Sequence, residues 1–212
     1  MPGTLVTVTA PSGAGKTTLV RELLRHDPNV RLSVSYTTRA PREGEENGRE
    51  YHFIETRRFL EMRDAGGFAE WAEVHGNYYG TSCDWLNEQL GAGRDTMLEI
   101  DWQGARQVRE AFPESISVFV LPPSLDELES RLRGRGTDSE GTIVRRLRAA
   151  LGEMRHVREF DYVIINERLP DAIKELAAVV QAARLRCISQ SKRFPQYFSF
   201  LEQDCKNGPS HC

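Results

Sequence analysis

The stretch Ala10–Thr17, APSGAGKT, decides how the rest of the chain is read. It follows Thr4–Thr9 (TLVTVT), an apolar run that reads as a strand, and leads directly into Lys16–Leu24 (KTTLVRELL), whose apolar spacing is helical. Strand, glycine-rich turn and helix in that order make an anion cradle. Gly13 and Gly15 let the backbone curl so that successive N–H groups and the helix N-terminus point at a phosphate chain. Ala10, Pro11, Ser12 and Ala14 fill out the loop, Lys16 adds a mobile positive charge, and the Thr17 hydroxyl is suited to ligating Mg2+. The common pattern GxxxxGK[ST] begins with Gly where this chain has Ala10, so a literal motif search would pass over it. The reading is a P-loop that holds a nucleoside triphosphate.

Working outward, three more short apolar runs read as core strands: Thr96–Asp101 (TMLEID), Ser117–Leu121 (SVFVL) and Tyr162–Ile165 (YVII). Each is expected to be buried on both faces, and each is followed by an amphipathic stretch, as in a parallel sheet covered by helices. Ser124 with Glu127 reads as a capping box opening a helix over Leu125–Arg133, and Leu169–Arg193 carries apolar residues at helical spacing. Two segments interrupt the rhythm. Residues 35–82 are rich in aromatics and short strand signals and read as a small β-containing lobe. Residues 131–148 are arginine-rich, with Gly134 and Gly136 placed to act as a hinge. The expected organisation is a core over 1–34 and 83–204, a lid at about 125–150 within it, the lobe at 35–82, and a disordered tail over 205–212.

Composition narrows the function classes. The 212 residues include 31 Asp plus Glu against 28 Lys plus Arg, so no overall positive field draws the chain to nucleic acid or to an anionic membrane. Four cysteines, Cys83, Cys187, Cys205 and Cys212, form no CxxC pair and no zinc-type spacing, which points to reduced thiols in the cytoplasm. No stretch has the layout of a signal peptide or a membrane span. Asp101–Gly104 (DWQG) matches the DxxG of GTPases, but the NKxD-type guanine-reading signature is absent.

Within the lobe stand Ser35–Arg42 (SYTTRAPR), Gly44–Tyr51 (GEENGREY), Ala69–Trp71 (AEW) and Gly76–Thr81 (GNYYGT). With APSGAGKT, LEIDWQG, LPPS and RGRG in this order, the chain resembles the guanylate kinase family over nearly its whole length. The resemblance implies an α/β fold: a P-loop NTPase core with a parallel sheet covered by helices, a small β-containing GMP-binding lobe and a helical lid. The implied reaction moves the γ-phosphoryl group of ATP to GMP, and also to dGMP, with Mg2+ as cofactor.

The resemblance assigns Arg39, Arg42, Tyr51 and Tyr79 to the GMP phosphate, and their chemistry agrees: guanidinium forks and phenolic hydroxyls suit a compact dianion. The same carry-over gives Glu70 the guanine N1 and N2 edge, a row of donors that an acceptor-only carboxylate matches, and sets Ser35 and Thr81 near O6. Arg135 and Arg146 are the lid residues implied to reach the phosphates, and Asn166 falls at the adenine pocket. Glu99 and Asp101 end an apolar strand beside the P-loop and are suited to holding Mg2+ through water; Asp101 serves guanine, the metal shell, or both. No general base is required, because the acceptor oxygen is already anionic. Three rivals weigh less. A guanylate-kinase-like protein-binding module is expected to have lost GAGKT, a small-sugar kinase should lack Glu70, Tyr79 and Thr81, and a nucleic-acid binder should carry a binding motif that is absent here. No obligate protein partner is expected.

Overall fold

In the computed structural model, residues 3–134 and 139–199 are described. Along the chain the elements are β1 (Leu5–Thr9), α1 (Lys16–His26), β2 (Val30–Leu32), β3 (Tyr36–Thr37), β4 (His52–Phe53), α2 (Thr56–Asp64), β5 (Phe68–Val74), β6 (Asn77–Ser82) and α3 (Cys83–Gly91). They continue with β7 (Asp95–Glu99), α4 (Trp102–Ala111), β8 (Ile116–Leu121), α5 (Leu125–Arg133), α6 (Glu140–Met154), β9 (Tyr162–Ile165), α7 (Leu169–Arg184) and α8 (Cys187–Arg193).

Five strands form a parallel sheet in the order β2-β7-β1-β8-β9. The side-chain alternation of the strands sorts the core into two layers. Val6, Val8, Met97, Val118 and Val120 face α1 and α7, where Leu19, Leu23, Leu176 and Val180 meet them. Leu5 and Leu98 face the other way, toward Leu86 of α3 and Val108 of α4. After β1 the chain winds to one side through β2 and β7, then crosses to β8 on the other, so the crevice at the carboxyl ends of the strands opens next to β1. The P-loop leaves β1 at that crevice.

The second sheet runs β4-β3-β6-β5 and covers the stretch read as a lobe. β5 and β6 are joined by the two residues His75 and Gly76, both at positive φ (51° and 76°), the geometry that matches the twist of a tight hairpin. Phe59 of α2 fills the centre of this unit, stacked between Phe68 and Tyr78 at centroid distances of 4.4 and 5.4 Å. Ser82 ends β6 and caps α3 by accepting from Trp85 N, so the four-stranded sheet passes directly into α3 at a helix cap.

Three expectations change. Tyr162–Ile165 is a strand, but β9 lies at the sheet edge and Tyr162, Val163 and Ile165 are exposed, because an edge strand has one neighbour and α7 covers one face. The helix expected over Leu169–Arg193 is two helices, broken where Arg186 turns to extended backbone (φ −56°, ψ 142°). Ser124 caps α5 by accepting from Glu127 N at 3.1 Å, while the Glu127 carboxylate accepts from Arg131 Nε at 2.8 Å. Among the described residues no helix is long and apolar enough to cross a membrane. Arg135 and the tail 205–212 lie outside the described residues.

Candidate functional site

The phosphate cradle has the form its sequence calls for. Gly13 and Gly15 take φ of 97° and 91°, which a side chain at Cβ would oppose, and Gly15 sits at the N-cap of α1. A Cβ on Gly15 would come within 2.5 Å of Asn166 Nδ2, so the loop needs glycine there for space as well as for torsion. The loop closes on itself through Ala14 N donating to Pro11 O at 3.0 Å. From beneath, Asn166 Nδ2 donates to Ala14 O at 2.7 Å, and Arg131 Nη2 donates to Asn166 O at 3.0 Å.

A cleft of about 400 Å3 opens over this loop, with Pro11, Ser12, Lys16, Thr17, Asp101 and Glu153 in its wall. Lys16 Nζ donates to Ile100 O at 3.2 Å, across the head of β7. Burial lowers the Lys16 pKa below its ordinary value, and Glu99, Asp101 and Glu153 oppose that shift by favouring the cation. Thr17 Oγ1 donates to Glu99 Oε2 at 2.8 Å. A hydroxyl and a carboxylate in contact, with the Asp101 carboxylate in the same cleft, make a set of hard oxygens that fits Mg2+. Asp101 also caps α4, accepting from Gly104 N at 2.8 Å, so the DWQG match is a helix start.

Beyond the ridge of Glu99 and Ile100 lies a smaller cleft of about 150 Å3 that reaches Thr81 of β6 and Ser35 and Tyr51, which immediately precede β3 and β4. Glu70 stands behind it, 7% exposed. Its Oε1 accepts from Thr81 Oγ1 at 2.6 Å, and Thr81 Oγ1 is in turn 3.4 Å from Ser35 Oγ. Burial raises the Glu70 pKa to about 7; the Thr81 hydroxyl works against that and the Asp101 charge adds to it. The β-ladder breaks register between Phe68 and Glu70, an irregularity of the kind that re-aims a side chain near a functional site.

The Arg39 guanidinium and the Arg42 main-chain amide meet at one carboxylate. Glu45 accepts from Arg39 Nη1 and Nη2, both at 2.9 Å, and from Arg42 N at 2.7 Å. A turn in which Glu45 N donates to Arg42 O brings the Arg42 backbone, not its guanidinium, to the carboxylate that Arg39 grips. The Arg39 guanidinium lies 5.4 Å from the centre of the Tyr51 ring, and Tyr51 packs edge-on against Tyr79 at 5.8 Å. Arg39 and the Arg42 amide hold the Glu45 carboxyl below the usual carboxylate range.

Of the arginines in the segment read as a lid, Arg146 on α6 reaches the glycine-rich loop, donating from Nη2 to Ser12 Oγ at 2.7 Å. Arg133 is engaged by Glu129 and Glu140 on the surface. Four residues that sequence reasoning left without a site role stand in these clefts or brace them. Glu153 from α6 shares the cleft with Lys16, and burial pushes its pKa up. Arg131 braces the P-loop, Glu45 orients Arg39, and Gln107 of α4 bonds both main-chain groups of Trp71. None has a motif of its own; Glu153 had a signal only as an acidic residue near a basic run. A hollow of about 390 Å3 at the opposite end of the strands, crossed by the Lys192–Glu114 ion pair, has no phosphate-binding turn.

The sequence model of the guanylate kinase family matches residues 3–183. A guanylate kinase of Aromatoleum aromaticum is 65% identical over 204 residues, covering 96% of this chain and 100% of the relative. One of Dechloromonas aromatica is 61% identical over 198 residues, covering 93% and 98%. Among solved structures, the guanylate kinase of Anaplasma phagocytophilum superposes with a TM-score of 0.69 at 33% identity over 88% of each chain.

Proposed function

This chain belongs to the guanylate kinase family, an ATP:GMP phosphotransferase on an α/β fold, and on that footing we propose how its two clefts divide the reaction. The larger cleft takes ATP, with its phosphates on the backbone amides of Ala10–Thr17 and on Lys16. The smaller takes GMP: Ser35, Tyr51 and Thr81 line it, Glu70 is joined to it through the Thr81 hydroxyl, and Arg39, Arg42 and Tyr79 are assigned with Tyr51 to the phosphate. dGMP is accepted as well, since the base and the phosphate carry the recognition. The enzyme works in the cytoplasm.

The observation that carries this reading is the buried Glu70 carboxylate, oriented by Thr81 at the far side of the ridge from Lys16. Guanine presents N1–H and N2–H2 together, and a carboxylate accepts from both. Adenine has a lone pair at N1 and no 2-amino group, so AMP would leave the Glu70 oxygen that Thr81 does not serve desolvated and unpaired. A site of that kind discriminates by ~10^4 or more.

Thr17, with Glu99 and Asp101 through water, would hold Mg2+, which would supply positive charge against that developing on the phosphates. Lys16 binds the phosphate chain and meets the migrating charge. Arg146, already on Ser12 of the loop, adds charge from the lid, and α5 and α6 exclude water when they close. The Arg39 fork presents an acceptor oxygen that is already anionic, so orientation replaces proton removal. The deciding experiment is a coupled assay of ADP formation from ATP with GMP, dGMP, AMP, UMP and ribose phosphates. GMP and dGMP should turn over while AMP falls short by ~10^4; AMP turnover within tenfold of GMP would remove Glu70 from base reading.

A further inference from the structure

The side chain of Gln107 behaves as a one-residue strand. β5 is an edge strand of the four-stranded sheet, so Trp71 needs partners on its open side for its N–H and C=O. Gln107, projecting from α4 of the core, supplies both: Trp71 N donates to Gln107 Oε1 at 3.0 Å, and Gln107 Nε2 donates to Trp71 O at 3.1 Å. Trp71 is the residue after Glu70. The residue before it, Ala69, is buried in the apolar cluster with Leu98 and Val108 of the core. Glu70 is thus fixed from both sides by attachments to the core, next to the point where the ladder of its own sheet shifts register.

One turn earlier on the same helix, Gly104 leaves room for the carboxylate. A Cβ there would stand 3.3 Å from Glu70 Oε2 and 3.3 Å from Ile100 Cβ. Gly104 and Gln107 are three apart and so share a helix face. That face of α4 receives the Glu70 head group and clips the backbone that carries it.

We propose that Gln107 is a positioning residue for base recognition, which pins the Trp71 main chain to α4 and so holds the Glu70 carboxylate where a guanine edge meets it. The inference rests on the assignment of Glu70 to guanine. A plain structural tie between lobe and core would affect every kinetic constant alike; a positioning role concentrates on the acceptor.

The test is Gln107→Met in the full chain, an unbranched replacement that leaves both Trp71 groups unpaired, with steady-state kinetics against GMP, IMP and ATP. The KM for GMP should rise ~10-fold or more, and the preference for GMP over IMP, which lacks the 2-amino group, should fall by a similar factor. KM for ATP and kcat at saturating GMP should stay within about twofold. The pH at which GMP capture is half-maximal should also move down from near 7 as water reaches Glu70. Unchanged GMP constants overturn the proposal, as does a parallel loss in kcat and both KM values. If the Met variant does not fold, Gln107→Glu carries the test: it keeps the acceptor for Trp71 N and loses the donor, so the same pattern should appear at smaller size. Glu70→Gln is run alongside. Loss of GMP preference there but not at Gln107 sinks this inference alone; retention of preference in Glu70→Gln sinks the base-reading assignment beneath it.

Discussion

Asn166 Nδ2 donates to the carbonyl oxygen of Ala14 at 2.7 Å, tying the end of β9 to the floor of the phosphate loop across 152 positions of sequence. Asn166 is 5% exposed, so its amide sits in a dry site where an unpaired partner is costly. Replacing it with Leu keeps the volume and leaves Ala14 O with only the long 3.5 Å bond from Arg131 Nη1. The loop then loses the brace that holds its amides outward. The variant should lose about 1–3 kcal/mol of stability, and its KM for ATP should rise several-fold more than its KM for GMP. Thermal unfolding and the two KM values check this; equal shifts in both would detach Asn166 from the ATP side.

Glu70 gives a prediction in pH. Its folded pKa, raised to about 7, lies above the ordinary carboxylate value of 4.5, so folding favours the protonated form. The unfolded chain gives up that proton first as pH rises. Stability is therefore fully present below 4.5, falls between 4.5 and about 7, and is flat in this respect above. GMP acts in the opposite sense, because its donors select the ionised carboxylate, so GMP affinity should climb through pH 7 with uptake of GMP releasing a proton. Glu70→Gln should be more stable than the parent at pH 8 and lose the rise in GMP affinity. Urea unfolding at pH 5 and 8 with calorimetry in two buffers decides it; a parent protein as stable at 8 as at 5 relative to the Gln variant would show that Glu70 is solvated.

The contrast between these residues also explains how much could be read in advance. The P-loop was legible because its requirements are local: Gly13 and Gly15 need positive φ, and the strand and helix on either side announce themselves by period. The parallel sheet followed from short apolar runs, yet β9 reads as a buried strand and is an edge, since apolar composition does not report how many neighbours a strand has. β2 has three residues, too few for any periodicity, and the break between α7 and α8 carries neither Gly nor Pro. Glu70, Arg39 and Thr81 are singled out in the sequence by the series of motifs in residues 35–82; spacing alone would not have paired Glu70 with Thr81 across a bulged hairpin. Gln107 and Glu153 were silent for a related reason. Their roles depend on what a helix faces, which only packing decides.

Among the described residues Lys16 is the one ammonium in the wall of the larger cleft, buried enough that its pKa is lowered and yet bonded to Ile100 O rather than to a carboxylate. Its charge is therefore available to a phosphate chain at little cost in broken ion pairs. Lys16→Ala should reduce kcat by ~10^3 or more while circular dichroism and the unfolding midpoint remain near the parent's. Turnover within tenfold of the parent would remove the P-loop lysine from transition-state stabilisation.

Arg184 lies at the other end of the sheet and predicts a stability effect with no catalytic counterpart. From α7 its Nε donates to Asp95 Oδ2 at 2.6 Å and its Nη2 to Asp27 Oδ2 at 2.7 Å, joining the start of β7 to the end of α1. Asp95 is 4% exposed, and its other oxygen accepts from Thr4 N at 2.7 Å. Arg184→Ala would leave that carboxylate buried without a cation, a loss on the order of 3 kcal/mol, or roughly 6–12 °C in unfolding temperature for a chain of this size. Adding Asp95→Asn removes the stranded charge while keeping an oxygen for Thr4 N, so the double variant should regain part of the loss. Both clefts sit at the opposite ends of the strands, and kcat and both KM values at 25 °C should match the parent. A single variant as stable as the parent, or a double variant no better than the single, would mean the carboxylate is reached by water once the guanidinium is gone.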